Sequence, residues 1–452
     1  MNRTFSFADI RTFSFAYYNV ISFDKISQFL LKSKLMTKIE IVRNIDKSLG
    51  TIICWLLSIC YAIERAIKRE KAPSSPKKIL LLKPAEMGTS VLAYPAIEEL
   101  KGIFKDTELY FLTFKENVEI IRLLDIIPQE NIFSIRMDSG ANFVKDTLLV
   151  ILAMRKIGID TTVDMEFFSR YTAILSYLIG AKQRVGLDRF NAEGLYRGNF
   201  LTHKVNYNPY LHVGQTFLAL IYALKYPAGK ITITERLFID KESLPKLKST
   251  NKEKINIWNK LKDLNPELKE KIQGEIKLII FPPKTGEWLP FKEWPIEYFA
   301  QLGKQLVSGD ESVYVVIVGT PSSSTCAKEL ISLIGNKRCI DLTGKTTLKE
   351  LIDLYNISSV LVTVDSGPAH FAALTDIKTI SIFGPETPQV FGPLSENCIS
   401  LVPEVSCHPC FSVFNNRTIN CEDDQKIKSC VLSTKPEKVY KIIKGLLYPI
   451  KI

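Results

Sequence analysis

The feature that most constrains this chain is an alternation between short apolar runs and stretches with helical spacing. Residues 79–82 are a continuous apolar run, and the largely apolar stretches 108–113, 276–281, 312–318, 360–364 and 379–383 read as further strands. A run that is apolar on both faces belongs to a strand covered on both sides, hence to a parallel sheet sandwiched by helices. Behind the first run, Val91, Leu92, Ala96, Ile97 and Leu100 recur at helical spacing. Residues 295–306, 328–334 and 348–355 read as further helices, and 161–164 and 184–186 as further strands. Such alternation implies βαβ units. Because the pattern runs twice, two doubly wound α/β domains are expected, with a ligand cleft at the carboxyl ends of their strands.

A length of 452 residues suits two or three domains, and 46% hydrophobic with 24% charged residues is a globular composition. Disordered, collagen-like and disulfide-scaffold chains are excluded by composition. A polytopic membrane protein is excluded by the lack of any run of eighteen uncharged apolar residues. The expected divisions are a basic extension (1–76), an N-terminal α/β domain (77–235), a Lys/Glu-rich connector (236–275) and a C-terminal α/β domain (276–452). A polar Pro/Ser stretch at 68–76 marks the first boundary.

Charge is uneven. The net is +11, and residues 1–76 carry twelve basic against six acidic side chains, a net of +6. That bias suits anionic lipid or nucleic acid. Nucleic acid is disfavoured, because no basic-aromatic recognition motif accompanies the charge. Within the extension, residues 49–63 are apolar over fifteen positions, short for a comfortable bilayer span, and are bracketed by Arg43, Lys47, Arg65, Lys68 and Arg69. The stretch reads equally as a helix on the inner face of the cytoplasmic membrane and as a helix packed on the protein body. Nine cysteines, and opening residues without a basic segment followed by an apolar core, point to a reducing cytoplasm.

The most informative stretch is 360–385, VLVTVDSGPAHFAALTDIKTISIFGP. An apolar strand ends at Asp365, Ser366 and Gly367 form the turn, and Pro368 sits where a first helical turn begins. Exposed N–H groups and the positive end of a helix dipole make such a turn a seat for phosphate, with His370 as an added donor. Read otherwise, Asp365 caps a helix and His370 is a packed or surface histidine.

Asp365-Ser-Gly-Pro-Ala-His370, followed by Phe383-Gly-Pro-Glu-Thr-Pro388, resembles the signature of glycosyltransferase family 9, which contains the ADP-heptose:lipopolysaccharide heptosyltransferases. Lys83-Pro-Ala-Glu-Met-Gly88 with Pro95-Ala96, then Asp164, Arg170 and Arg184-Val-Gly186, and Lys292-Glu-Trp-Pro295 with Phe299-Ala300 are similar to further family motifs, in family order. The resemblance implies a GT-B fold, with acceptor on the N-terminal domain and nucleotide sugar on the C-terminal one. It implies inversion at the anomeric carbon and no required cofactor or essential metal. Consistent with that, no DxD-type pair or His/Cys/Asp cluster stands in the cleft motifs. The leaving diphosphate must then be met by N–H groups, dipole and cations. Lys292 is the candidate cation, and Asp365 the candidate contact to the donor's hydroxyls. Taken alone, Lys292 also reads as a solvated helix-start lysine; the resemblance favours the functional reading.

The resemblance also implies a general base: an Asp directly after the first loop's Met-Gly. Here that position is Thr89, whose hydroxyl does not titrate near neutrality. Glu86, three residues earlier on the same loop, is the substitute base, with Thr89 positioning the acceptor. The alternatives are an idle Glu86 in a slow or altered enzyme, or a nucleotide-sugar-binding homologue without turnover. Arg170, Arg184, Arg197 and His212 fall where the family carries basic residues for phosphorylated lipid-linked or polysaccharide acceptors. Each alone is also readable as structural. Near the end, Cys407, Cys410, Cys421 and Cys430 form a C-x2-C…C…C set that zinc, free thiols or a disulfide would satisfy.

Overall fold

The computed structural model describes residues 38–67, 75–188, 196–284, 292–411 and 429–449. Cys421, and residues 1–37 and 68–74 of the extension, lie outside the described residues. The first described element is helix α1 (Lys38–Ile67), 30 residues long.

A first parallel sheet contains β1 (Lys78–Leu82), β2 (Glu108–Phe114), β3 (Ile132–Ile135), β4 (Thr161–Asp164), β5 (Gln183–Asp188), β6 (His203–Asn206) and β7 (Gly229–Ile231). Its order is β3-β2-β1-β4-β5-β6-β7. The second holds β8 (Lys277–Phe281), β9 (Val313–Ile317), β10 (Cys339–Asp341), β11 (Val360–Val364), β12 (Lys378–Ile382) and β13 (Cys398–Leu401), in the order β10-β9-β8-β11-β12-β13. The apolar runs read from the sequence form interior strands of both sheets: β1 and β2 in the first, β8, β9, β11 and β12 in the second. β8, β9 and β11 are almost wholly buried, as continuous apolar strands must be.

In each sheet the strand order reverses at the first strand: between β1 and β4, and between β8 and β11. Loops leaving neighbouring strands at such a point diverge to opposite faces and open a crevice. Five helices matter for what surrounds it: α2 (Met87–Leu92) after β1, α3 (Gly140–Ile157), α4 (Arg170–Leu178) after β4, α5 (Val213–Tyr222) and, in the second lobe, α6 (Gly367–Ala372) after β11.

The lobes share packing and hydrogen bonds. Leu92 and Ala93 of the first belong to the same apolar cluster as Phe371 and Ala372 of the second. Glu119 Oε1 accepts from Leu348 N–H (3.1 Å) and Lys349 N–H (3.3 Å), at the start of helix Leu348–Asn356. The segment read as a connector contains helix Asn251–Leu264, whose Asn265 C-cap donates to Lys337 O at 2.7 Å, so it is folded onto the second lobe.

Helix α1 corrects the expectation of a fifteen-residue apolar element. At ~1.5 Å per residue it is about 45 Å long, and Val42–Ile67 is long and apolar enough to cross a membrane. One side is docked on α4. Asp46 accepts from the backbone N–H groups of Arg170 (3.1 Å) and Tyr171 (3.0 Å) and from Arg170 Nη1 at 3.4 Å. Gly50 makes this approach feasible, since a Cβ there would lie 3.0 Å from Arg170 Cβ. Cys54 packs with Ala173 and Phe200.

Candidate active site

The loop after β1 is shaped by a buried ion pair. Lys83, fully buried, donates to Glu166 Oε1 at 3.0 Å and to Ala85 O at 2.5 Å, while Ala85 N–H donates to the same Glu166 oxygen at 2.8 Å. Glu166 follows β4, so the loop is clamped to the neighbouring strand across the switch point. Glu86 ends the loop in the left-handed region, at φ 62°. Its side chain is exposed, and Thr89 Oγ1 donates to Glu86 O (2.9 Å) and to Oε2 (3.3 Å). The carboxylate is therefore accessible at the first lobe's strand ends. Thr89 is buried against it.

The opposite wall is built from the second lobe. Lys292 Nζ donates to Asp365 Oδ2 at 2.8 Å and also contacts Glu386 Oε2. All three side chains are at least nine-tenths buried. One ammonium cannot balance two carboxylates in a desolvated site. Burial and the neighbouring Asp365 raise Glu386 well above the usual carboxylate range, while Lys292 and a hydrogen bond from Glu386 hold Asp365 below its own despite burial. The physical reading is Lys292 charged, Asp365 ionised and Glu386 protonated, a cluster of zero net charge. Lys292 is thus not a solvated lysine.

Ser366 and Gly367 start α6. Gly367 and Pro368 are half-buried rather than sealed. This turn faces the first lobe: a Cβ on Gly88 would lie 3.3 Å from Gly367 Cα and 2.7 Å from His370 Cδ2. The starts of α2 and α6 therefore confront one another, and only glycine at 88 permits it. His370 is buried. Burial depresses its imidazole to about 4, with His212 and Lys292 adding to the fall and Asp365 opposing it. Its Nδ1 is buried without a hydrogen-bond partner.

The four residues expected to bind the acceptor each have partners within the fold. Arg170 holds Asp46 of α1. Arg184 donates to Phe200 O at 2.7 Å and contacts Ala181 O, with its guanidinium 4.8 Å from the Tyr61 ring centre. Arg197 pairs with Asp164 and donates to Ser169 O at 2.9 Å. His212 caps α5, its Nδ1 accepting from Gly214 N–H at 3.2 Å, and its Nε2 donates to Gly392 O at 2.9 Å in the other lobe. All four build the walls.

Of the four cysteines read as a possible zinc, free-thiol or disulfide set, Cys421 lies outside the described residues, and among the described residues no three His, Cys, Asp or Glu side chains converge as metal ligands. Cys407 and Cys410 are exposed, whereas Cys430 is buried. Sequence reasoning missed the roles of Glu386, Glu166 and Lys83. Glu386 was visible inside the Phe383–Pro388 motif, but its partner lies 94 residues away.

Two parallel α/β lobes, with strand ends and helix starts confronting one another, give the chain a GT-B architecture. The chain belongs to glycosyltransferase family 9: the model described as "Glycosyltransferase family 9 (heptosyltransferase)" matches residues 157–418. Lipooligosaccharide heptosyltransferase 2 of Campylobacter jejuni is 25% identical over 373 residues, 82% of this chain and 98% of the relative. Lipopolysaccharide heptosyltransferase 2 of Salmonella typhimurium is 32% identical over 127 residues; that match spans only 36% of the relative's length. Among solved structures, E. coli ADP-heptose lps heptosyltransferase II superposes with a TM-score of 0.62 at 19% identity, covering 82% of this chain and 98% of the other. A family 9 glycosyl transferase from Veillonella parvula gives 0.61 at 19% identity, covering 83% and 99%. The N-terminal helix α1 accompanies the shared two-lobed architecture.

Proposed function

We propose that the chain transfers a heptosyl residue from ADP-heptose to a lipopolysaccharide core or related lipid-linked glycan, with inversion and without an essential metal. The observation carrying this reading is the juxtaposition of the Glu86 loop with the Gly367 turn across the cleft, with Lys292, Asp365 and Glu386 beside that turn. The names of the relatives in Campylobacter and Salmonella support heptose and a lipooligosaccharide or lipopolysaccharide acceptor.

The donor's diphosphate lies against the N–H groups of the Ser366–Gly367 turn, where the helix dipole and Lys292 meet its charge. Asp365 keeps Lys292 in place and takes a sugar hydroxyl. The acceptor hydroxyl oxygen bonds to the anomeric carbon as the bond from that carbon to the diphosphate oxygen breaks. The hydroxyl proton passes to Glu86, and the nucleoside diphosphate leaves. Nucleotide sugar and chain meet in the cytoplasm, as the cysteine usage suggests.

Purified full-length chain, incubated with a panel of nucleotide sugars and lipid-linked acceptor, should release nucleotide fastest from ADP-heptose. Preference for another donor would replace that sugar, and binding without release would favour a homologue that does not turn over. Glu86→Gln should lower kcat by about 10²–10⁴-fold with donor affinity unchanged. Full turnover in that variant would remove Glu86 as base.

A further inference from the structure

Helix α1 is turned inside out relative to an ordinary surface helix. Over Val42–Ile67 its charged residues are Arg43, Asp46, Lys47, Glu64 and Arg65. On a helix of 3.6 residues per turn these fall on the side facing α4 or along its margins. Asp46 holds Arg170, and Glu64 Oε1 accepts from Tyr177 Oη at 3.0 Å. The outward side carries Ile45, Leu49, Ile52, Leu56, Ile59 and Ile63 at three- and four-residue spacing, all exposed, with Trp55 beside them. No charged side chain interrupts them. A soluble surface helix shows the reverse pattern.

Helix α3 repeats the arrangement on the other side of α4. Thr147 and Phe143 contact Tyr171, through a 2.8 Å hydrogen bond and rings 5.0 Å apart, and Arg155 donates to Leu178 O at 2.8 Å. Val144, Leu148, Leu149 and Leu152 of α3 are exposed. The ionic side chains among them are basic: Lys145, Arg155 and Lys156. The one acid of α3, Asp146, is turned inward and held by Arg136 at 2.7 Å. Two helices flanking α4 thus present apolar residues edged by cations, with Asp46, Glu64 and Asp146 paired to the protein.

We infer that α1 and α3 form a docking surface for an anionic lipid bilayer, with α1 lying in the plane of the interface rather than crossing it. Charge selects this occupant over a second copy of the chain, whose matching basic margins would repel. Docking of Asp46 and Gly50 on α4 rules for the in-plane orientation, because a spanning helix would have to leave Arg170 buried without its carboxylate. Apolar side chains enter the headgroup–acyl boundary while lysines and arginines reach the lipid phosphates. The inference stands on exposure and charge placement, independently of which sugar is transferred; nucleotide release in solution tests that reading without vesicles.

The test uses full-length chain sedimented with vesicles of phosphatidylglycerol and phosphatidylcholine. Binding that grows with the phosphatidylglycerol fraction and is released by alkaline carbonate is expected. Ile52→Glu/Leu56→Glu, both exposed, should cut the bound fraction by about tenfold or more while thermal melting stays unchanged. Lys145→Gln/Lys156→Gln should weaken binding to anionic vesicles about tenfold and leave neutral vesicles unaffected. Absence of wild-type binding overturns the inference, and so does unchanged binding by the double-glutamate variant. Resistance to carbonate would make α1 a spanning helix. A wild-type dimer that the double-glutamate variant splits, with no vesicle binding, would assign the face to self-association. Undiminished binding of the lysine variant would remove α3 from the surface.

Discussion

Glu386→Gln should leave the protein as stable as the wild type at pH 7, or more stable, although it alters a buried contact to Lys292. Glu386 keeps its proton in the fold because Asp365 already neutralises Lys292. In the unfolded chain it ionises near ~4.3. Each pH unit over which the fold holds a proton that the unfolded chain has released costs about 1.4 kcal/mol. A raised carboxyl group thus contributes stability below its unfolded pKa and loses it as pH climbs toward the folded value. Glutamine donates to Asp365 and accepts from Lys292 without that cost, so its advantage should shrink as pH falls to about 4.5. Asp365→Asn differs, since Glu386 can then ionise as the sole partner, and a moderate loss is expected. The double variant leaves a buried ammonium without a carboxylate, at about 3–5 kcal/mol. It should exceed the sum of the singles by about 2 kcal/mol. Urea titrations read on Trp294, buried two residues from Lys292 and donating to Thr434 O at 2.9 Å, report directly on this region. A loss of 3–5 kcal/mol for Glu386→Gln at pH 7, or simple additivity, would refute the charge assignment.

Gly88→Ala would set a methyl group 2.7 Å from the His370 ring. The lobes must separate by a fraction of an ångström to about one, which should cost on the order of 10²-fold in turnover with little change in melting temperature; turnover within about twofold of wild type would contradict the close approach. Acidification tests His370. Its folded pKa of about 4 lies below the unfolded ~6.5, so its stability contribution is complete above ~6.5 and is lost as pH falls toward 4, by up to ~3 kcal/mol. Glu386 acts in the opposite sense over part of that range. The informative quantity is therefore the difference between profiles: His370→Gln should remove the acid-side loss, and a profile parallel to wild type would show that the imidazole does not titrate there.

The strands were legible because burial on both faces leaves a signature in consecutive residues, and β4 falls at 161–164 as read. Helix starts were legible at Pro368, which lies in the first turn of α6, and at Pro295, which immediately precedes helix Ile296–Gly309. The arginines of the first lobe were visible as chemistry but not as structure. Arg170 reads as a phosphate ligand until Asp46, 124 residues earlier, is brought to it. Arg197 finds Asp164 33 residues away. Sequence shows the charge of a side chain and hides its partner. The length of α1 was obscured in a similar way: charged residues at 43, 46, 47, 64 and 65 break the apolar run along the chain, yet in three dimensions they gather on the docked side.

The pairing of Glu86 with Thr89 invites a reciprocal test. Thr89 is 6% exposed and its hydroxyl points at the Glu86 carbonyl oxygen, so a carboxylate placed there alone would face a carbonyl oxygen and a second carboxylate. Like charges this close force one group to hold a proton. Thr89→Asp should therefore reduce turnover when Glu86 is intact. In a Glu86→Gln background the new carboxylate gains an amide donor in place of a like charge, and it occupies the position where the family resemblance implies the base. Turnover of the double variant should recover by about tenfold or more over Glu86→Gln alone, and its rate should fall below the pKa of the new carboxylate. Recovery in the double with loss in each single is a pattern that a mere positioning role for Glu86 does not produce. If Thr89→Asp speeds the wild type and the Glu86→Gln change is silent in both backgrounds, the proton goes elsewhere and His370, whose Cδ2 edge faces Gly88 and whose Nδ1 is buried without a hydrogen-bond partner, becomes the group to examine.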